Sequence, residues 1–204
     1  MSTSQAIAKT YTPKAVPEWT KEKYSYRKEL ADAAGIDTEK WGAVYSVKGI
    51  GFAGGTQELD KIGVNTETNT IAVFTAFNKA DKPELGKKLY LSDILMGVFT
   101  QAGKNPQDLK MVHVDQVINT ESRDVFESIY EGLGKNSVKP VEATFRASAT
   151  GLEKDNFNRI ANTPFGLTVD RMNQEFSTGK TIDSYILRGN MEETDEFDMD
   201  IMLS

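Results

Sequence analysis

Residues 62–77, IGVNTETNTIAVFTAF, constrain the fold of this chain more than any other segment. Two β-prone runs flank a polar turn over residues 65–69, which is the pattern of a β-hairpin. The second run is apolar on both faces, and strands of that kind are buried on both sides. We therefore predict a sheet in which this second strand is central.

The rest of the chain mixes strand patterns with helix patterns. Strand patterns occur in LKMVHVDQVI, VEATFRASA, TIDSYILRG and EFDMDIMLS. The spacing of apolar residues predicts helices over about 20–34, 92–102, 120–135, 153–161 and from 163 onward. This mixture predicts an α+β fold with a mixed, largely antiparallel sheet and helices packed on it. We expect a flexible arm over residues 1–18 and a single globular domain over residues 19–204.

The segment from Met191 onward holds six acidic residues and no basic one, which matches the net charge of −6 of the whole chain. Apolar residues at every second position from Phe197 to Leu203 alternate with acids such as Asp198 and Asp200. An apolar face opposite an acidic face is typical of a half-buried edge strand. We therefore predict that the domain ends in an acidic edge strand with its acids exposed.

Residues 1–28 carry six basic side chains against two acidic ones, so the two ends of the chain have opposite charges. Such charges attract within a chain or between subunits, although charge runs are also commonly only solvated. We predict a non-catalytic interaction or self-assembly protein that uses a basic amino-terminal arm and helix and the acidic strand. Its partner would be a second copy or another protein, and the acidic total argues against nucleic acid.

The segment AVYSVKGIGFAGG places Gly49, Gly51 and Gly54 in a G-x-G-x-x-G pattern after a plausible strand. A dinucleotide-binding turn needs a following helix and an acid about 20 residues further on. Only TQELDKIG could be helical here, and Asp81 lies 30 residues beyond Gly51. We interpret the pattern as a glycine-rich strand exit, and the three glycines are our candidate ligand-binding residues at a pocket.

His113 is the only histidine, so any histidine acid/base chemistry in this chain must use it. In MVHVDQV it shares a strand face with Asp115, whereas Val112 and Val114 point the other way. His113 and Asp115 are the candidate catalytic residues of an alternative function, a small-molecule enzyme or ligand-binding protein with a pocket near residues 43–55. A histidine at such a position is also commonly just a surface residue.

The chain contains no cysteine, which excludes disulfides, thiolate nucleophiles and cysteine-ligated metal sites. One histidine with carboxylates is too small a set for a usual transition-metal site, so we expect no metal and no cofactor. No apolar run approaches the length of a membrane span, and the first residues lack the pattern of a secretory leader. We expect a soluble, cytoplasmic protein without a membrane partner.

Overall fold

A computed structural model of the protein describes residues 20–22, 43–46, 50–52, 57–79, 84–115, 120–132, 141–190 and 196–204. The strands within these ranges are β1 (Thr20–Glu22), β2 (Ala43–Ser46), β3 (Ile50–Phe52), β4 (Gln57–Asn65), β5 (Thr70–Lys79), β6 (Glu84–Leu89), β7 (Met111–Asp115), β8 (Val141–Arg146), β9 (Ile182–Asn190) and β10 (Glu196–Leu203). The helices are α1 (Leu91–Gln101), α2 (Thr120–Gly132), α3 (Gly151–Ala161) and α4 (Pro164–Glu175), with a short 3-10 helix at Pro106–Asp108.

The predicted hairpin is confirmed as β4 and β5, which pair antiparallel on either side of a turn. The Asn65 side chain stabilises this turn, because its Oδ1 accepts hydrogen bonds from the backbone N–H groups of Glu67 at 3.0 Å and Thr68 at 3.1 Å. Asn69 adopts a positive φ of 54°, which asparagine tolerates better than most residues. β5 lies between β4 and β7, so the prediction of a central strand is also confirmed.

Eight strands form the main sheet in the order β1-β2-β4-β5-β7-β10-β9-β8. Its neighbouring strands are antiparallel except β5 and β7, which run parallel. A parallel pair needs a crossover connection, and the segment between β5 and β7 contains β6 and α1. The predicted α+β class, with a largely antiparallel sheet and helices packed on it in a single body, is therefore confirmed.

One face of the main sheet forms the hydrophobic core together with the helices. The register places Ile71, Val112, Ile201, Tyr185 and Phe145 in one row across five strands on this face, each at most 3% exposed. Helix residues complete the same cluster, among them Leu95, Phe99, Phe126, Ile129, Ile160, Val169 and Met172. Each buried side chain of this size contributes about 1.5–3 kcal/mol, so burial of this face stabilises the packing of the sheet against the helices.

The strand predicted over EFDMDIMLS is confirmed as β10, but its predicted position at a sheet edge is wrong. β10 pairs with β7 on one side and with β9 on the other, so it is an interior strand. Asp198 and Asp200 are each only 6% exposed. Asp200 tolerates burial because it has a hydrogen-bonding partner on each neighbouring strand.

Two predictions for the first third of the chain also need correction. The helix predicted from Thr20 is wrong at its start, because Thr20–Glu22 is β1 and pairs with β2; the remainder of that helix and the arm over residues 1–18 lie outside the described residues. Within the segment TQELDKIG, residues 57–63 belong to β4 rather than to a helix. A strand at this place agrees with our interpretation of the glycines as backbone geometry, since a dinucleotide-binding turn opens a helix.

Candidate functional site

A histidine and three charged side chains occupy two adjacent rows of the register across four neighbouring strands, on the sheet face opposite the core. His113 of β7 is directly opposite Asp200 of β10, and Arg188 of β9 is directly opposite Glu142 of β8. The alternation of side chains along each strand places them on this face, because their sequence neighbours point into the core. We call these four residues the charge network.

Hydrogen bonds join the members of the charge network into a chain. Nδ1 of His113 lies 2.5 Å from Oδ1 of Asp200. Oδ2 of Asp200 accepts a hydrogen bond of 2.5 Å from Nη1 of Arg188, whose Nε donates to Oε2 of Glu142 at 3.1 Å. Asp200 thus uses both oxygens, as a buried carboxylate must if its burial is not to be costly.

Exposure to solvent increases along the charge network. The exposed fraction of the side chain is 1% for His113, 9% for Asp200, 19% for Arg188 and 61% for Glu142. An exposed ion pair such as that of Arg188 with Glu142 contributes little, whereas removing one partner of a buried pair is costly. The stabilising part of the network is therefore centred on Asp200.

The charge network shifts the pKa values of Asp200 and Arg188. Burial raises the pKa of Asp200, but the hydrogen bonds and positive charges of His113 and Arg188 outweigh it and hold that pKa below its usual value. Burial lowers the pKa of Arg188, and its contacts with Asp200 and Glu142 outweigh this effect and raise the pKa. Because an ionised carboxylate can only accept, Nδ1 of His113 carries the proton and donates it.

A carboxylate that fixes the tautomer and orientation of an imidazole is a common arrangement in acid/base sites. Nε2 is the other ring nitrogen: it carries a proton when His113 is charged, and it could accept one when His113 is neutral. The ring is 1% exposed, so a substrate could reach it only after a change in its surroundings. The arrangement holds the imidazole firmly and does not present it to solvent.

The residues predicted from sequence are not all brought together. His113 lies in the charge network, where its partner is Asp200; Asp115 is the last residue of β7, and its side chain lies outside the described part. Gly51 is in β3, which pairs with β6 in a separate two-stranded sheet. Gly49 and Gly54 lie outside the described residues. Within the described ranges, Gly51 and His113 therefore belong to different sheets.

The outer side of β8 is a second candidate site. β8 is the last strand of the main sheet, and in the described part of the chain β9 is its one strand partner. A cleft of about 390 Å³ runs beside it, lined by residues 142–146 of β8 and by Leu152, Glu153 and Asn156 of α3. Leu152 is 62% exposed there. We call this side of β8 and the adjoining cleft the β8 edge.

Sequence reasoning missed several of these residues. It identified Asp200 only as an exposed acid, and it did not find Arg188, Glu142 or the β8 edge. A signal was present in TIDSYILRG, where Arg188 interrupts an apolar strand pattern. A charged side chain in such a strand needs a partner of opposite charge if it is buried. The sequence does not say on which strand that partner lies.

Comparison of the chain with protein-family models, with curated proteins and with solved structures finds no match. Among the residues that the structure describes, no three histidine or acidic side chains converge as they would around a metal ion. None of the helices described above is long and apolar enough to cross a membrane. The functional inference therefore depends on the geometry of the charge network and of the β8 edge.

Proposed function

We propose that this protein is a non-catalytic interaction or self-assembly protein of the cytoplasm, and that it binds an extended segment of a partner along the β8 edge. The observation that supports this proposal is a cleft of about 390 Å³ beside a strand that ends the main sheet. An extended segment that joins a sheet edge gains main-chain hydrogen bonds, while a neighbouring cleft accepts its side chains. The β8 edge offers both.

The backbone of β8 presents its hydrogen-bonding groups to a partner at Thr144. The N–H of Ala147 donates to the carbonyl oxygen of Asp183 at 2.8 Å, so the chain faces β9 at that residue. Backbone groups alternate in direction along an antiparallel strand, so those of Phe145 and Ala143 also face β9 and those of Thr144 point outward. Thr144 is therefore the centre of the β8 edge.

The proposed contact surface differs from the one expected from sequence. Asp200 of the acidic strand is buried and bonded to His113 and Arg188, so a basic arm cannot pair with it without breaking those bonds. The side chains of residues 1–28 lie outside the described part, and their role in binding stays a prediction. The β8 edge replaces the acidic strand as the proposed surface.

Selection from a library of random peptides displayed on phage tests this proposal. We expect wild-type protein to enrich peptides that no longer bind Thr144→Pro, because proline removes the outward N–H and obstructs the edge. Thr144→Ser is the matched control and should retain binding, and circular dichroism checks that both variants are folded. The proposal is contradicted if the selected peptides bind the proline and serine variants equally well.

A second candidate function, a ligand-binding protein or enzyme that uses His113, is favoured by the 2.5 Å contact between His113 and Asp200. A thermal-shift screen of small molecules against wild type and His113→Gln tests it, because a bound ligand raises the melting temperature. A compound that stabilises only the wild type would support this function. If every stabilising compound acts equally on both proteins, His113 has no part in binding.

A further inference from the structure

We infer that the β8 edge binds a second copy of this chain, with the two β8 strands antiparallel about a two-fold axis at Thr144. The inference rests on the proposed function, because it names the occupant of the same edge. A two-fold interface uses the same surface on both subunits, so the edge must be complementary to itself. The sequence and exposure of β8 meet this requirement.

The sequence of β8, VEATFR, is self-complementary about Thr144. With the two Thr144 residues opposite each other, Glu142 of each copy lies opposite Arg146 of the other, and Ala143 lies opposite the larger Phe145. Opposite charges and threonine pairs directly across two strands are stabilising, and like charges there are destabilising. The outward N–H and C=O groups of the two Thr144 residues form the central hydrogen-bonded pair.

Both charged residues can take part in such a contact. Their side chains share one face of β8, and Glu142 is 61% and Arg146 59% exposed. Glu142 is bonded to Arg188, and Arg146 to Glu153 at 3.3 Å, within their own chain. A carboxylate and a guanidinium each accommodate more than one partner, so the contact across the axis adds to these bonds. It would also join the charge networks of the two copies.

The charges also select the register. If one copy slid by one residue, Thr144 would lie opposite a residue whose backbone groups face β9, and its own backbone hydrogen bonds would be lost. The nearest alternative registers therefore place Thr144 opposite Glu142 or opposite Arg146. In both alternatives neither Glu142 nor Arg146 lies opposite the other, so both charges lose their cross-strand partner. The strand also ends at Arg146, whose carbonyl oxygen accepts a bond from the N–H of Ala149 at 3.2 Å. Pairing about Thr144 is the register that matches both charges.

The cleft adds apolar surface to this contact. Leu152 is 62% exposed beside β8, and Phe145 and Ala143 line the same cleft. A second strand laid along the edge would cover the cleft and remove the exposed surface of Leu152 from water. The pairing is thus stabilised by the hydrophobic effect as well as by the backbone and the charges.

Disulfide cross-linking tests the register directly, because a single introduced cysteine is the only thiol in this chain. Opposed residues in a hydrogen-bonded pair have Cα atoms about 5.5 Å apart, which a disulfide can bridge. In the proposed register the two copies of residue 142 are roughly 14 Å apart, which is too far. We expect Thr144→Cys to form a disulfide dimer in a glutathione buffer on the order of tenfold faster than Glu142→Cys.

A mixture of Glu142→Cys and Arg146→Cys should form mixed disulfides, and wild type should approach twice its monomer mass in sedimentation equilibrium as concentration rises. Cross-linking of Glu142→Cys alone as fast as Thr144→Cys would overturn the register. A monomeric wild type together with an uncross-linked Thr144→Cys would overturn self-pairing. In that last case, peptides that distinguish Thr144→Pro from Thr144→Ser would still support the proposed function, so the two failures are distinguishable.

Discussion

Replacement of Asp200 by asparagine measures how much the charge network stabilises the fold. Asparagine keeps the shape and one acceptor oxygen but removes the negative charge that His113 and Arg188 each contact at 2.5 Å. Removing one partner of a buried ion pair costs about 3–5 kcal/mol. Because the Arg188 side chain is 19% exposed and retains Glu142, we expect a smaller loss of about 2–3 kcal/mol in the free energy of unfolding.

Urea denaturation followed by circular dichroism provides the measurement. With a slope of about 2 kcal/mol per molar urea, the loss corresponds to a midpoint roughly 1–1.5 M lower. Glu142→Gln is the matched control, because it neutralises an exposed carboxylate of the same network, and its loss should stay below about 1 kcal/mol. A midpoint for Asp200→Asn within error of wild type would refute the reasoning.

The difference in stability between wild type and Asp200→Asn should depend on pH. The pKa of Asp200 in the folded protein is below its ordinary value of 3.8. A carboxyl group of this kind contributes stability that is complete above the unfolded pKa and is lost as the pH falls through the folded pKa. The advantage of wild type over Asp200→Asn should therefore shrink as the pH falls below about pH 4. An advantage that persists unchanged into stronger acid would contradict the lowered pKa.

Two further substitutions test the core by the same urea assay. The Tyr185 hydroxyl is buried and has no hydrogen-bond partner among the described residues. Burial, reinforced by the charge of Asp170, raises the pKa of this hydroxyl. Because Tyr185→Phe removes an unsatisfied polar group, it should leave the free energy of unfolding unchanged or raise it by about 1 kcal/mol. A clear loss would show that the hydroxyl is bonded. A Cβ added at Gly166 would lie 2.6 Å from the carbonyl oxygen of Ile160, so Gly166→Ala should cost about 1–3 kcal/mol. Gly132→Ala, which meets no atom within 4 Å, is its control, and equal losses would contradict the packing argument.

Local patterns were sufficient to predict most elements of the fold. Asn65 forms the turn of the hairpin through its own side chain, and Pro164 begins α4 where its missing N–H costs nothing. In MVHVDQV, the alternation of residues correctly separated Val112 and Val114, which are buried in the core, from His113 on the other face. These features depend on residues that are close together in the sequence.

Strand order and burial could not be predicted in the same way. Acids at alternate positions of a strand suit an exposed edge, and they suit an interior strand equally well when cations lie opposite. The partners that decide this for Asp200 are Arg188, 12 positions away, and His113, 87 positions away. Likewise, Thr20–Glu22 pairs with residues 44–46 of β2, a partner that the local spacing of apolar residues does not contain. No local pattern contains the register between distant strands.

The interior position of β10 has a consequence for synthesis on the ribosome. β10 follows every other described strand in the sequence, yet it separates β7 from β9 and so joins the two parts of the main sheet. Until β10 is available, β7 and β9 each lack a neighbour and expose an unpaired strand edge. A translational pause or a proteolytic cut before residue 196 would therefore leave two incomplete sheets that are prone to aggregate, and the nascent chain would need protection by chaperones at that stage.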